Sequence, residues 1–446
     1  MTDKLSLPHD SAMLSTDFIY GVATASFQIE GGADKRLPCI WDTFCDTKGK
    51  VADGSNGLIA CDHYNLWQQD VELIDSLGVD AYRLSISWPR VIKESGELNQ
   101  TGVDYYLTIL DELKALNIKT FVTLYHWDLP QHLEDEGGWL NRETAYKFRD
   151  YADLISQAFG DRVYAYATLN EPFCSAFLGY EIGIHAPGIV GKEFGKKAAH
   201  HLLLAHGLAM EVLQKNSPNT KNGIVLNFTP CYPESDSEAD KKATQYADDY
   251  FNQWYIKPLF DGEYPTINSQ LPADHQPVIF EGDMEIISHS IDFLGVNFYT
   301  RAIYRSDKKD HFFQIDPPEP RTDIGWEIYP KAFTELLVTL NKRYALPPIY
   351  ITENGAAMAD KLVNGIVNDI DRVNYYQSHL NAVNDAINLG VKVNGYFAWS
   401  LMDNFEWAEG YLKRFGIVHV DYDTQIRTVK KSGNAYKTLI TSRQSQ

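Results

Sequence analysis

Eight short runs of aliphatic, β-branched and aromatic residues punctuate the chain, at 18–22, 81–87, 120–125, 163–168, 223–228, 291–297, 349–352 and 395–400. Between them apolar positions recur every three to four residues, as at 67–77, 103–116, 142–159, 197–214, 331–344 and 372–389. The short runs have the length and composition of buried parallel strands, and the longer stretches have the period of amphipathic helices. Strand and helix alternating eight times predicts an α/β fold, a single (β/α)8 TIM barrel. No GxGxxG turn follows the first run, which weighs against a doubly wound sheet. No Pro/Gly/Ser-rich linker divides the chain, so residues 1–446 read as one domain, with 1–15 as a loosely ordered extension.

Composition changes this picture little: 44% hydrophobic residues suffice for a large core. The net charge of -20, with no compensating run of Lys or Arg, argues against nucleic acid and against anionic membranes as partners. Cys39, Cys45, Cys61, Cys174 and Cys231 are odd in number, with no CxxC pair, and read as reduced thiols without a disulfide framework or zinc site. No signal-like segment opens the chain and no run of 18 apolar residues follows, so a soluble cytoplasmic protein is expected. A homo-oligomer is compatible with the sequence.

In such a barrel the chemistry lies at the C-terminal ends of the strands. The fourth run leads into Thr168-Leu169-Asn170-Glu171-Pro172, and the seventh into Tyr350-Ile351-Thr352-Glu353-Asn354-Gly355. Closing the barrel would aim Glu171 and Glu353 into one mouth. Two such carboxylates can cleave a glycosidic bond: about 5 to 5.5 Å between them gives retention, and roughly 6.5 to 9.5 Å leaves room for water and inversion. A lone strand-end Glu could equally be solvated or ion-paired. Arg83, inside the second run, should point into the barrel, where it needs a carboxylate partner. His126, ending the third run, has no His or Cys at ligand spacing to make a metal site.

The two carboxylate motifs resemble those of the glycoside hydrolase family 1 β-glucosidases. The likeness extends from Phe18-Ile19-Tyr20-Gly21-Val22-Ala23-Thr24-Ala25-Ser26-Phe27-Gln28-Ile29-Glu30-Gly31 to Arg414-Phe415-Gly416-Ile417-Val418-His419-Val420-Asp421. It implies a (β/α)8 barrel, a retaining double displacement, and no metal or organic cofactor. By resemblance Glu171 is the acid/base and Glu353 the nucleophile, paired with Arg83 and hydrogen-bonded by Tyr299, with Asn297 orienting the same site. The resemblance also implies a sugar pocket of Gln28, His126, Trp127, Asn170, Glu353, Trp399, Glu406 and Trp407. Those types suit a pyranose, which presents hydroxyls at its rim and C–H bonds on its faces. Each has an ordinary role too: Trp127 and Trp399 suit a core, His126 a histidine satisfied by backbone, and Tyr299 a barrel rim.

If the roles hold, the proton affinity of Glu171 should be raised, so that it serves first as acid and then as base. The leaving group would meet variable loops, among them Phe173, His185 and Trp326. Phe173 stands where many family members have Trp, and Cys174 beside it is unusual. The expected activity is exo-hydrolysis of terminal β-D-glucosyl residues, with galactosyl or fucosyl residues also accepted, from cello-oligosaccharides and from aryl or alkyl glycosides. Rival readings are a non-catalytic sugar-binding barrel, a xylanase-like endo-enzyme, and a 6-phospho-β-glycosidase, whose phosphate a charged Glu406 would repel.

Overall fold

The computed structural model describes residues 4–307 and 311–443. Eight parallel strands close a barrel: β1 (Ile19–Ala23), β2 (Ala81–Ser85), β3 (Lys119–Tyr125), β4 (Ala165–Asn170), β5 (Lys221–Phe228), β6 (Phe293–Phe298), β7 (Ile349–Asn354) and β8 (Val393–Trp399). Each strand is hydrogen-bonded to its neighbours in chain order, and β1 pairs with β8 to complete the ring. All eight expected runs are strands, with ends displaced by a few residues.

Alternate residues of each strand enter different cores, because successive side chains point to opposite faces. Ile19, Ala81, Phe121, Phe293, Tyr350 and Phe397 belong to the interior cluster. Phe121 meets Phe397 edge-on at 4.8 Å and Tyr350 at 5.2 Å, forming an aromatic plug. Gly21 lets this packing close: a Cβ there would lie 2.4 Å from the Phe397 ring. The intervening residues, such as Tyr20, Tyr82, Val122, Tyr166, Leu294 and Ile351, join the larger cluster between strands and helices. The barrel is therefore a filled core, and a polar site can form only above the plug.

Among the described residues the α-helices of eight residues or more are α1 (His63–Ser76), α2 (Gln100–Ala115), α3 (Glu143–Phe159), α4 (Lys192–Asn216), α5 (Glu238–Asp248), α6 (Trp254–Asp261), α7 (Pro330–Arg343), α8 (Ile370–Asn388) and α9 (Lys431–Arg443). Among the described residues, no helix is long and apolar enough to cross a membrane. A three-stranded sheet of Cys231–Pro233, Ala302–Asp307 and His311–Gln314 sits outside the barrel.

The expected loose extension needs correction over residues 4–15. Met13 is fully buried, Ser11 Oγ donates to Asn384 Oδ1 at 2.6 Å, and Ser6 N donates to Gln377 Oε1 at 2.8 Å. Leu5 and Met13 bury apolar surface and the polar contacts tie the segment to α8, so these residues are part of the fold. Residues 1–3 lie outside the described residues.

Candidate active site

The C-terminal ends of β4 and β7 are irregular. The β4–β5 register shifts between Ala167 and Asn170, and β7 shifts against both neighbours beyond Ile351. Such bulges re-aim side chains. Glu171 follows β4 with φ +46°, its N–H held by Val225 O at 2.9 Å. Trp127 (φ +79°) and Trp407 (φ +46°) share this left-handed backbone, which costs a residue with a Cβ roughly 1 to 3 kcal/mol. Three strained residues at one mouth point to a site that the surrounding packing enforces. Gly355, just beyond β7, passes so near the Trp399 carbonyl that a Cβ would sit 1.8 Å from its oxygen.

One hydrogen-bonded chain links the two carboxyl groups. Arg83 donates from Nη1 to Glu353 Oε1 at 2.6 Å and from Nη2 to Asn170 Oδ1 at 2.8 Å. Asn297 Nδ2 donates to Asn170 Oδ1 at 3.1 Å and to Glu171 Oε1 at 2.7 Å, while Thr352 Oγ1 donates to Asn297 Oδ1. Tyr299 donates its hydroxyl to Glu353 Oε2 at 2.6 Å. Arg83 and Tyr299 thus meet Glu353, and Asn297 reaches Glu171. The remaining Glu171 oxygen, Oε2, lies 3.0 Å from Cys174 Sγ.

The settings of the two carboxyls are unequal. Glu353 receives a guanidinium and a phenol, donors that suit a carboxylate. For Glu171, burial first and then the nearby Glu353 raise the pKa to about 7, the direction expected of a group that must carry a proton. Burial and the Glu353 charge also push Glu406 up to about 8. Raised proton affinity at Glu406 weakens the charge repulsion on which the sequence argument against a phosphorylated sugar rests.

Above these groups opens a cavity of about 590 Å3. His126, Trp127, Glu171, Glu353, Trp399, Glu406 and Trp407 line its inner part, and Phe173, His185 and Trp326 also reach it. Arg83, Asn170 and Gln28 are buried next to these residues. Five buried polar atoms of these residues have no protein partner: Gln28 Oε1, Arg83 Nε, His126 Nδ1, His185 Nδ1 and Glu406 Oε2. Their chemistry follows from their neighbours. Gln28 Nε2 donates to Asn404 Oδ1 and Phe405 O, which leaves Oε1 as a free acceptor. Asn170 Oδ1 accepts from Arg83, so its Nδ2 donates to His126 Nε2 at 3.1 Å, and the His126 proton must sit on Nδ1. Burial and the Arg83 charge hold His126 well below its usual pKa, so the ring is neutral. An acceptor, a donor and one carboxyl oxygen left unpaired under an aromatic wall, with Trp127 and Trp407 4.6 Å apart, suit a small polyol.

Outside this polar end the walls turn apolar, with Phe177, Ile182, Phe251, Ile303 and Ile315. Reading the sequence missed these, and it missed the Arg301–Glu327 ion pair at 2.8 Å on the rim. Phe177 lies one helical turn from Phe173, a usable signal, but the others come from insertions after β4, β5 and β6 with no local pattern. Among the described residues, no group of three or more His, Cys, Asp or Glu side chains is placed to hold a metal ion.

Comparisons with known proteins agree with this geometry. Residues 10–445 match the model of the family described as Glycosyl hydrolase family 1. The chain is 48% identical to a β-glucosidase of Agrobacterium sp. over 98% of this chain and 97% of that one. It superposes with a TM-score of 0.93 on a β-glucosidase from Thermotoga maritima in complex with deoxynojirimycin, at 42% identity over 96% and 98% of the two chains. The virulence factor SghA from Agrobacterium tumefaciens, in complex with its substrate analog salicin, gives 0.93 at 45% identity over 98% and 99%.

Proposed function

We propose, because the chain belongs to glycosyl hydrolase family 1, that it is an exo-acting β-glucosidase that retains anomeric configuration. The observation that carries this reading is the unequal pair: Glu353 fastened by Arg83 and Tyr299, Glu171 buried with raised proton affinity, and one hydrogen-bonded chain between them. Glu353 attacks the anomeric carbon while Glu171 delivers its proton to the leaving oxygen, which yields a glycosyl ester and a free alcohol. Glu171, now a carboxylate, takes a proton from water as that water attacks the same carbon, and Glu353 leaves as a carboxylate. Each step restores what the other changed, so no further group is needed to balance the cycle.

Gln28, His126 and Glu406 would hold the hydroxyls of the sugar, with Trp127, Trp399 and Trp407 as its aromatic wall. Glucose is the primary sugar in this reading, with galactose and fucose as tolerated alternatives; one curated relative is named a bifunctional β-D-glucosidase/β-D-fucosidase. The apolar outer walls favour aryl and alkyl leaving groups, as salicin bound to SghA also suggests, with cello-oligosaccharides as further substrates. A 6-phospho sugar is disfavoured because the one Arg or Lys among the described lining residues, Arg301, is paired with Glu327. Five free thiols fit a reducing, cytoplasmic setting.

A panel of p-nitrophenyl glycosides differing only in the sugar tests the specificity, and proton NMR of the first-formed sugar tests the stereochemistry. Turnover of the β-glucoside with β-glucose appearing before mutarotation is expected. Initial α-glucose would overturn retention, and no turnover of any glycoside would revive the sugar-binding reading.

A further inference from the structure

The Glu171 carboxyl has neighbours of unequal chemistry on its two oxygens. Oε1 accepts from Asn297 Nδ2 at 2.7 Å, and an amide N–H cannot itself accept. A proton on Glu171 therefore goes to Oε2, the oxygen 3.0 Å from Cys174 Sγ. The thiol is carried there by the local backbone: Cys174 N donates to Glu171 O at 2.9 Å, and Cys174–Leu178 continues as a π-helical turn. Cys174 is buried and lines the same cavity. A thiol donates and accepts, both weakly. It can give its S–H to the carboxylate and, after rotating about Cβ–Sγ, accept from the carboxylic acid.

Resting on the assignment of Glu171 as acid/base, we propose that Cys174 is a positioning residue, whose thiol holds Glu171 Oε2 in both protonation states without binding its proton tightly. Burial and the neighbouring carboxyls keep the thiol itself protonated, so it does not add a second charge. The other groups that act on this pair are Glu353 from β7, Arg83 from β2, Tyr299 after β6, Glu406 beyond β8 and Tyr255 from α6. All of them keep their identity when position 174 is changed, so the substitution itself removes only the thiol.

The pH profile of kcat/KM on an aryl β-glucoside, measured for Cys174→Ala and Cys174→Ser, tests this. A donor to the carboxylate favours its charged form. Alanine removes a weak donor, so the alkaline limb should move up by roughly 0.5 unit; serine supplies a stronger one, so it should move down by a similar amount. A packing role predicts no such opposed shifts, and thermal melts verify that both variants fold. If alanine does not fold, the downward shift of serine alone carries the test. Limbs that superimpose on the wild type, or shift together or in reversed order, overturn the proposal. The parent reading fails separately: it falls if the wild type cleaves no glycoside, or if Glu171→Gln leaves the alkaline limb in place.

Discussion

The ends of β4 and β7 carry the same side chain in opposed settings. At β7, Glu353 accepts from a guanidinium and a phenol, one on each oxygen. At β4, Glu171 accepts from an uncharged amide and lies against a thiol, in a position whose burial raises its pKa. A carboxyl facing a cation is prepared for negative charge and for attack. One facing neutral donors is prepared to hold and release a proton. The difference teaches that chemical role here belongs to the surroundings, since the residue type is shared.

The strongest way to break that comparison is Glu353→Ala. Loss of the nucleophile should lower kcat/KM by more than the roughly 10²- to 10⁴-fold typical of acid–base groups, with partial recovery in azide or formate. Retention of activity within tenfold would remove the distinction between the two ends. Glu171→Gln should cost about 10²- to 10⁴-fold on alkyl glucosides and much less on the first step with aryl glucosides whose leaving groups need no proton. Equal losses on both substrate classes would deny Glu171 the acid role. Tyr299→Phe removes a single donor to a charged oxygen, worth about 1.5 to 3 kcal/mol, so kcat/KM should fall roughly 10- to 100-fold while the alkaline limb stays in place.

The smallest effect is on stability. Glu171 binds its proton more tightly folded than unfolded, so its stabilising contribution is complete below about pH 4.5 and is lost as pH rises through about 7. Glu171→Gln should therefore melt higher than the wild type at pH 8 and similarly at pH 4. A gain confined to acid pH would contradict the sign of the shift.

Much of the barrel was legible because its strands are buried on both faces and read as short apolar runs, while their C-terminal ends turn polar where the plug stops. Asn170-Glu171 and Glu353-Asn354 stand at that change. What joins them was legible only in part. Arg83 could be assigned to a carboxylate because a buried guanidinium needs one, but the reach of Asn297 to Glu171 depends on bulges that no local pattern announces. Cys174 stood out by type, and its contact emerged only from the left-handed turn at Glu171. Glu406 shows another limit: the sequence supplies an acidic side chain, and only burial beside Glu353 raises its proton affinity. The outer walls were hidden for a different reason. Phe251, Ile303 and Ile315 arrive from separate insertions and meet only after the chain has closed.

The most direct measurement is to trap the glycosyl ester with a 2-deoxy-2-fluoro-β-glucoside bearing a good leaving group, then map the label by peptide mass spectrometry. One fluoroglucosyl group per chain on Glu353, in the peptide containing Thr352-Glu353-Asn354, is the predicted result. A label on Glu171 or elsewhere, or turnover of the reagent with no covalent adduct at any time, would contradict the assignment of roles.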